Sequence, residues 1–233
     1  MEKYKQFHII LRTLTLRQSY EDIMRFDKKT LYYGILGTWI AGIGRYWDNP
    51  KVEFLQKLGV GSVIYIFIMA ALLYLVILPF RVKNWSYIKV LTFVSLTSFP
   101  AIIYAIPVEK WTNMESAIAL NKNFLLVVAL WRVLMLFRFF KVSTRLADTE
   151  VITAMLLPIC GIIVTLTLLN LEKAVFEIMG GFRDTTPNDG AYAVLNVLTF
   201  FSMLLSPILL CFYLWAIYHY NKNISSRSEE KIE

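Results

Sequence analysis

The chain has 233 residues, of which 57 % are hydrophobic and 18 % are charged, and its formal net charge is +7 at pH 7. Soluble domains are about 45–50 % apolar, so the composition excludes an ordinary soluble protein and favours one whose apolar side chains face lipid. The basic residues fall between apolar runs rather than in a polar segment interleaved with aromatics, which argues against nucleic-acid binding.

Residues 1–30 are predicted to form a basic cytoplasmic segment that contains an interfacial helix. Within it, Ser19 and Asp22 have the spacing of a capping box, which marks the start of a helix. Basic segments beside a membrane bind lipid headgroups through charge, so anionic lipid is an expected partner of this segment.

Beyond this segment the sequence predicts an all-α, polytopic integral membrane bundle of about six transmembrane helices, because a spanning helix needs about 20 mostly apolar residues. The predicted spans are residues 31–47, 58–80, 88–107, 118–140, 151–170 and 192–217. The first is short and rich in glycine, and a re-entrant arm is the alternative for it.

The distribution of Lys and Arg predicts the orientation of these spans. Of the 24 basic residues, 16 fall on the side that carries both termini, seven fall on the other side, and Arg132 lies within a span. Both termini are therefore expected in the cytoplasm, with a membrane bundle at 31–217 and a cytoplasmic tail at 218–233. The expected location is the inner (plasma) membrane, crossed several times.

The first span carries small residues on one helical face. Gly34, Thr38 and Gly42 recur every four residues, a spacing that lets another helix approach closely. This face is expected to pack within the bundle or between protomers. At the outer end, Arg45 and Asp48 are three residues apart and are predicted to form an ion pair.

Arg132 lies in the middle of an apolar run, where a charged side chain is unfavourable and needs acceptors. Pro100 has no N–H, so the carbonyl four residues earlier, on Leu96, loses its helical partner. We expect Arg132 to donate hydrogen bonds into a polar pocket that opens toward the cytoplasm. The pocket residues are Arg132, Ser95, Ser98, Leu96, Pro100 and Tyr74. Arg132 could serve there as a structural clamp or as a ligand for a small anion.

Motifs for common enzyme chemistry are absent from the sequence. It has no HExxH, no GxSxG and no phosphate-binding GxxxxGK[ST]. We therefore expect neither an enzyme nor a cofactor or metal. The first functional hypothesis is a non-enzymatic scaffold or assembly subunit that forms a homo-oligomer or binds a membrane-protein partner. The alternative is a transporter or channel for a small, anionic solute.

Two stretches, "GTWIAGIGRYWDNP" and "LTSFPAIIYAIPVEKW", resemble segments of bacterial polytopic membrane proteins grouped loosely with the Yip family. The resemblance covers roughly residues 30–215. Yip-type proteins typically have a cytoplasmic N-terminal region and about five spans, so six spans depart from that pattern. The resemblance implies a non-enzymatic membrane protein that acts through protein partners or lipid organisation.

Overall fold

The computed structural model describes residues 2–46, 54–171 and 190–229, and throughout these ranges the regular elements are helices. The α-helices are α1 (Glu2–Leu14), α2 (Tyr20–Met24), α3 (Lys28–Tyr46), α4 (Phe54–Lys57), α5 (Val60–Ile77), α6 (Tyr87–Leu96), α7 (Met114–Thr144), α8 (Asp148–Leu168) and α9 (Gly190–Glu229). Three stretches of 3₁₀ helix lie at Leu78–Phe80, Phe99–Ala105 and Val108–Lys110. The predicted all-α fold class is confirmed for these residues.

Four helical segments within the described ranges are long and apolar enough to cross a membrane. They are Val60–Phe80, Tyr87–Ala105, Asp148–Leu168 and Val194–Lys222. They correspond to predicted spans two, three, five and six. Two further predicted spans fall on α3 and α7, which are not among the four, and α7 carries Arg132 and Arg138 within its apolar half.

The chain divides into two compact units. The first unit comprises the residues up to Tyr74 and the segment Trp85–Arg145. The second unit comprises Leu75–Asn84 and the residues from Leu146 onward. In the second unit, α8 packs along α9, and the Tyr213 hydroxyl donates a hydrogen bond of 2.6 Å to the Val76 carbonyl. The Phe80 ring meets Tyr213 and Tyr220 edge to face.

In the first unit the basic N-terminal segment folds onto α7. The predicted capping box is present, since the Ser19 side chain accepts from Asp22 N–H and the Asp22 carboxylate accepts from Ser19 N–H at 2.8 Å. The loop that precedes α2 is bound by α7 side chains. Trp131 donates its indole N–H to the Leu14 carbonyl at 2.8 Å, and Arg138 donates to the Gln18 carbonyl at 3.3 Å.

The small-residue face of α3 packs inside the first unit, against α6 and the start of α5. A Cβ placed on Gly34 would overlap the Ser95 hydroxyl and would lie 2.9 Å from Ser95 Cβ. A Cβ on Gly42 would lie 2.7 Å from Ser62 Oγ and 3.0 Å from Gly59 Cα. Glycine at these positions therefore permits the backbones of the helices to approach closely.

Aromatic rings fill the other end of the first unit. Phe93 of α6 and Phe139 of α7 stack with ring centroids 4.0 Å apart, and Trp85 contacts Phe139 and Phe140. Phe93, Phe139 and Phe140 are almost completely buried. Stacked pairs at such spacing add to the free energy of burial, so this cluster fixes α6 against α7.

The first testable consequence concerns the contact between α3 and α6. Gly34→Ala should lower the free energy of unfolding by about 1–3 kcal/mol, the usual cost of overpacking, because the new methyl group overlaps Ser95. Thermal unfolding in detergent measures the effect. Gly61→Ala is the matched control, since nothing lies within 4 Å of its added Cβ, and it should not destabilise. Ser95→Gly should recover stability in the double variant, and equal losses at Gly34 and Gly61 would contradict this packing.

A second prediction concerns Asp27, which caps α3. Its carboxylate accepts hydrogen bonds of 2.8 Å from the Thr30 N–H and hydroxyl. Burial raises the pKa of Asp27, but the hydrogen bonds from Thr30, together with Lys29, outweigh burial and place this pKa below its ordinary value. A lowered pKa stabilises the fold above pH 4 or so, and that contribution is lost as the pH falls through the folded-state pKa.

Asp27→Ala should therefore lower the free energy of unfolding by about 1 kcal/mol at neutral pH, the typical contribution of an N-cap. The difference between wild type and variant should shrink as the pH falls below about 4. Unfolding in detergent across this pH range gives the comparison. If the difference in unfolding free energy between wild type and variant does not change with pH, the charge on Asp27 contributes nothing to the stability of the fold.

Candidate functional site

The third apolar segment is interrupted where its polar residues cluster. The α-helical part ends at Leu96, and the chain continues as a 3₁₀ helix over Phe99–Ala105. Pro100 lies at the start of this second part, where it cannot donate a backbone hydrogen bond. Ser95, Ser98 and Pro100 are all buried, so the carbonyls at the interruption need donors from within the protein.

Side chains of two neighbouring helices supply these donors. From α3, the Thr38 hydroxyl lies 3.1 Å from the Ser95 carbonyl and 3.0 Å from the Gly34 carbonyl of its own helix. From α7, Arg132 donates through Nε to the Thr97 carbonyl at 2.9 Å. The interruption is therefore the point at which α3, α6 and α7 are joined by hydrogen bonds.

The acceptor of Arg132 differs by one residue from the predicted one. Sequence reasoning selected the carbonyl of Leu96 because Pro100 removes its helical partner, whereas the structure uses the carbonyl of Thr97. The reason is that α6 does not resume as an α-helix after Pro100. The prediction assumed an α-helix kinked at Pro100. In the 3₁₀ stretch the backbone carbonyls point in other directions than they would in that kinked α-helix.

Arg132 uses only part of its guanidinium in this contact. Nε is bound to Thr97, and within the described residues neither terminal nitrogen has a hydrogen-bond or ion-pair partner. The residue is half-buried, and its terminal nitrogens are not among the buried polar atoms that lack a partner. The two terminal NH₂ groups of this guanidinium are therefore still accessible.

A second arginine stacks on tyrosine rings near the other end of the 3₁₀ helix. The Arg45 guanidinium of α3 lies over the rings of Tyr104 and Tyr46, with centroid distances of 5.1 and 5.8 Å.

Tyr74, which was predicted to line the pocket with Arg132, packs against Trp85. Its ring stacks on Trp85, and its carbonyl accepts the Trp85 indole N–H at 3.1 Å. The physical reason is that side chains of α7 lean toward its N-terminus, so Arg132 points away from the end that holds Trp85 and Phe139.

The other predicted site residues lie away from Arg132 or outside the described residues. Gly34, Thr38 and Gly42 form the packing face of α3, and only Thr38 also takes part in the interruption. Asp48, the predicted partner of Arg45, lies outside the described residues. Sequence reasoning missed Thr97 as the acceptor of Arg132.

Comparisons with protein-family models, with curated proteins and with solved structures found no match to this chain. Within the described residues no group of three or more His, Cys, Asp or Glu side chains could hold a metal ion.

The contact between Arg132 and Thr97 predicts a specific loss of stability. Arg132→Gln should lower the free energy of unfolding in detergent by about 1.5–3 kcal/mol, the range for a hydrogen bond to a charged group. Arg138→Gln is the control, because Arg138 is exposed and its hydrogen bond to Gln18 is longer, at 3.3 Å. If both variants unfold at the wild-type temperature, the Arg132 contact does not support the fold.

Proposed function

We propose that this protein is a non-enzymatic, polytopic protein of the inner (plasma) membrane that acts as a scaffold or assembly subunit. In this proposal α3 and α7 join the four apolar segments to make six spans, and the excess of basic residues places both termini in the cytoplasm. The resemblance to Yip-type proteins agrees with a role through partners rather than catalysis.

The observation that carries this proposal is the surface of α9. Its buried side chains form a narrow stripe with a seven-residue spacing, made of Leu195, Ser202, Leu209 and Ala216. Around the rest of the helix, large apolar residues are exposed, among them Phe200 at 65 %, Phe212 at 57 % and Trp215 at 59 %. A helix buried along one stripe only offers most of its perimeter to lipid or to another helix.

One part of this perimeter is concave. Beside Pro207 the helix surface forms an open groove of about 530 Å³, lined by Pro207, Ile208, Cys211, Phe212 and Trp215. The rings of Phe212 and Trp215 project next to the hollow. In a two-fold dimer the same patch of both copies meets itself, so the rings of each copy can fill the groove of the other. We therefore propose a second copy of this chain as the occupant.

The native cysteines test this assembly directly. Cys211 lines the groove and is exposed, whereas Cys160 of α8 is buried, and both are free thiols. A short bifunctional maleimide added to the full chain in lipid vesicles should give a covalent dimer. The dimer should vanish in Cys211→Ser and persist in Cys160→Ser, and its yield should not fall when the protein is diluted with lipid. A yield that falls with dilution, or absence of the dimer, would contradict self-assembly through α9.

A second candidate function is supported by the interrupted third segment. Transporters commonly bind solutes at discontinuous membrane helices near the middle of the bilayer. Here such an interruption meets a guanidinium whose two terminal NH₂ groups are accessible. This supports a transporter or channel for a small, anionic solute. Anion flux into vesicles that contain the purified protein tests it, with Arg132→Gln as the matched variant. Flux no greater than that of empty vesicles would reject this candidate.

A further inference from the structure

We propose that the outward face of α1 is inserted into the acyl-chain region of a bilayer that carries anionic headgroups. Phe7 and Leu11 form the centre of this face, and Ile10 and Leu14 lie at its edge. The proposal rests on the membrane location put forward above, but it does not depend on self-assembly through α9.

The first reason is that α1 is buried on one side and carries large apolar side chains on the other. The helix packs against α3 and α6, and its Ile9 and Thr13 are buried. On the opposite side, Phe7 is 65 % exposed and Leu11 is 47 % exposed. Residues four positions apart are neighbours on a helix surface, so these two side chains form one apolar ridge. A helix that faced water on this side would carry polar residues there.

The second reason is the level at which α1 lies against the first unit. The Trp131 indole N–H donates to the Leu14 carbonyl at 2.8 Å, which fixes the end of α1 beside the apolar half of α7. Leu130 and Leu134, close to Trp131 on that helix, are both more than half exposed. The neighbouring α6 belongs to a segment long and apolar enough to cross a membrane. The end of α1 therefore lies beside surfaces suited to contact with lipid.

The third reason is charge, and it selects the kind of lipid. The first 30 residues hold seven Lys and Arg against four Asp and Glu, a net charge of +3. Arg17 follows directly on α1, since its N–H donates to the Arg12 carbonyl at 2.8 Å, and its side chain is exposed. A guanidinium forms paired hydrogen bonds with phosphate oxygens, and basic residues beside an apolar helix face are attracted to anionic headgroups.

The test uses the full chain in lipid vesicles, with a fluorophore attached to single cysteines. Cys211→Ser removes the exposed native thiol, while Cys160 is buried and stays in place; this background without an added cysteine gives the blank. Leu11→Cys and Phe7→Cys, each labelled, should be quenched by nitroxides on lipid acyl chains and not by iodide on both sides of the bilayer. Glu21→Cys is the control from the same segment, because the Glu21 side chain is 81 % exposed, and iodide should quench it.

A further label separates failure of this inference from failure of the membrane location. Ile68 is exposed on Val60–Phe80, which is long and apolar enough to cross a membrane, so nitroxides should quench labelled Ile68→Cys. If they do, but iodide quenches labelled Leu11→Cys, α1 faces water and only this inference is wrong. If neither agent quenches labelled Leu11→Cys, a second copy covers the face, and the inference is again wrong. If nitroxides fail to quench labelled Ile68→Cys, the membrane location and this inference fall together.

The preference for anionic headgroups has its own measurement. Nitroxide-bearing phosphatidylglycerol and phosphatidylcholine are compared at equal mole fraction as quenchers of labelled Leu11→Cys. We expect phosphatidylglycerol to be enriched roughly fivefold beside the label, the effect of one basic residue near an anionic surface. Arg17→Gln should lower this ratio toward one, whereas Arg81→Gln removes an exposed cation elsewhere and should keep it. A ratio near one before substitution, or an unchanged ratio in Arg17→Gln, would overturn the proposed selection of anionic lipid.

Discussion

The need to satisfy backbone carbonyls in an apolar interior dominates the first unit of this protein. The third apolar segment stops being an α-helix at Leu96, and a proline shortly afterwards removes a donor. Unpaired carbonyls in such surroundings are expensive. Arg132 donates to the Thr97 carbonyl, and the Thr38 hydroxyl joins the Ser98 N–H at the Ser95 carbonyl. Thr38 and Arg132 belong to different helices. The interruption therefore specifies which helices are neighbours and in what register.

Other features of the first unit follow from this constraint. For Thr38 to reach Ser95, α3 must lie close to α6, and a side chain at Gly34 would prevent that approach. For Arg132 to reach Thr97, α7 must be placed so that its basic side chain enters the bundle rather than lipid.

Much of this could be read from the sequence, and the failures have physical causes. Apolar run lengths predicted helices long and apolar enough to cross a membrane. The cost of a charge among apolar residues predicted that Arg132 needs a backbone acceptor near Pro100. The prediction assumed an α-helix with a kink, and the 3₁₀ continuation moved the acceptor from Leu96 to Thr97. The hydrogen bond from Thr38 to the Ser95 carbonyl depends on tertiary packing between distant segments, and no local pattern in the sequence encodes it.

The central claim is that Arg132 binds the interruption of the third segment through Thr97. Solid-state NMR of the protein in lipid bilayers, with ¹⁵N in arginine side chains and ¹³C at threonine carbonyls, measures this contact directly. Nε lies 2.9 Å from the carbonyl oxygen, and the C=O bond adds about 1.2 Å. We therefore expect dipolar transfer at an N–C separation of about 4 Å, lost in Arg132→Gln. A second sample with ¹³C at arginine carbonyls provides the control, because Arg12 Nε lies 3.3 Å from the Arg17 carbonyl oxygen. Absence of the Arg132–Thr97 transfer in the wild type, with the Arg12–Arg17 transfer intact, would contradict the account.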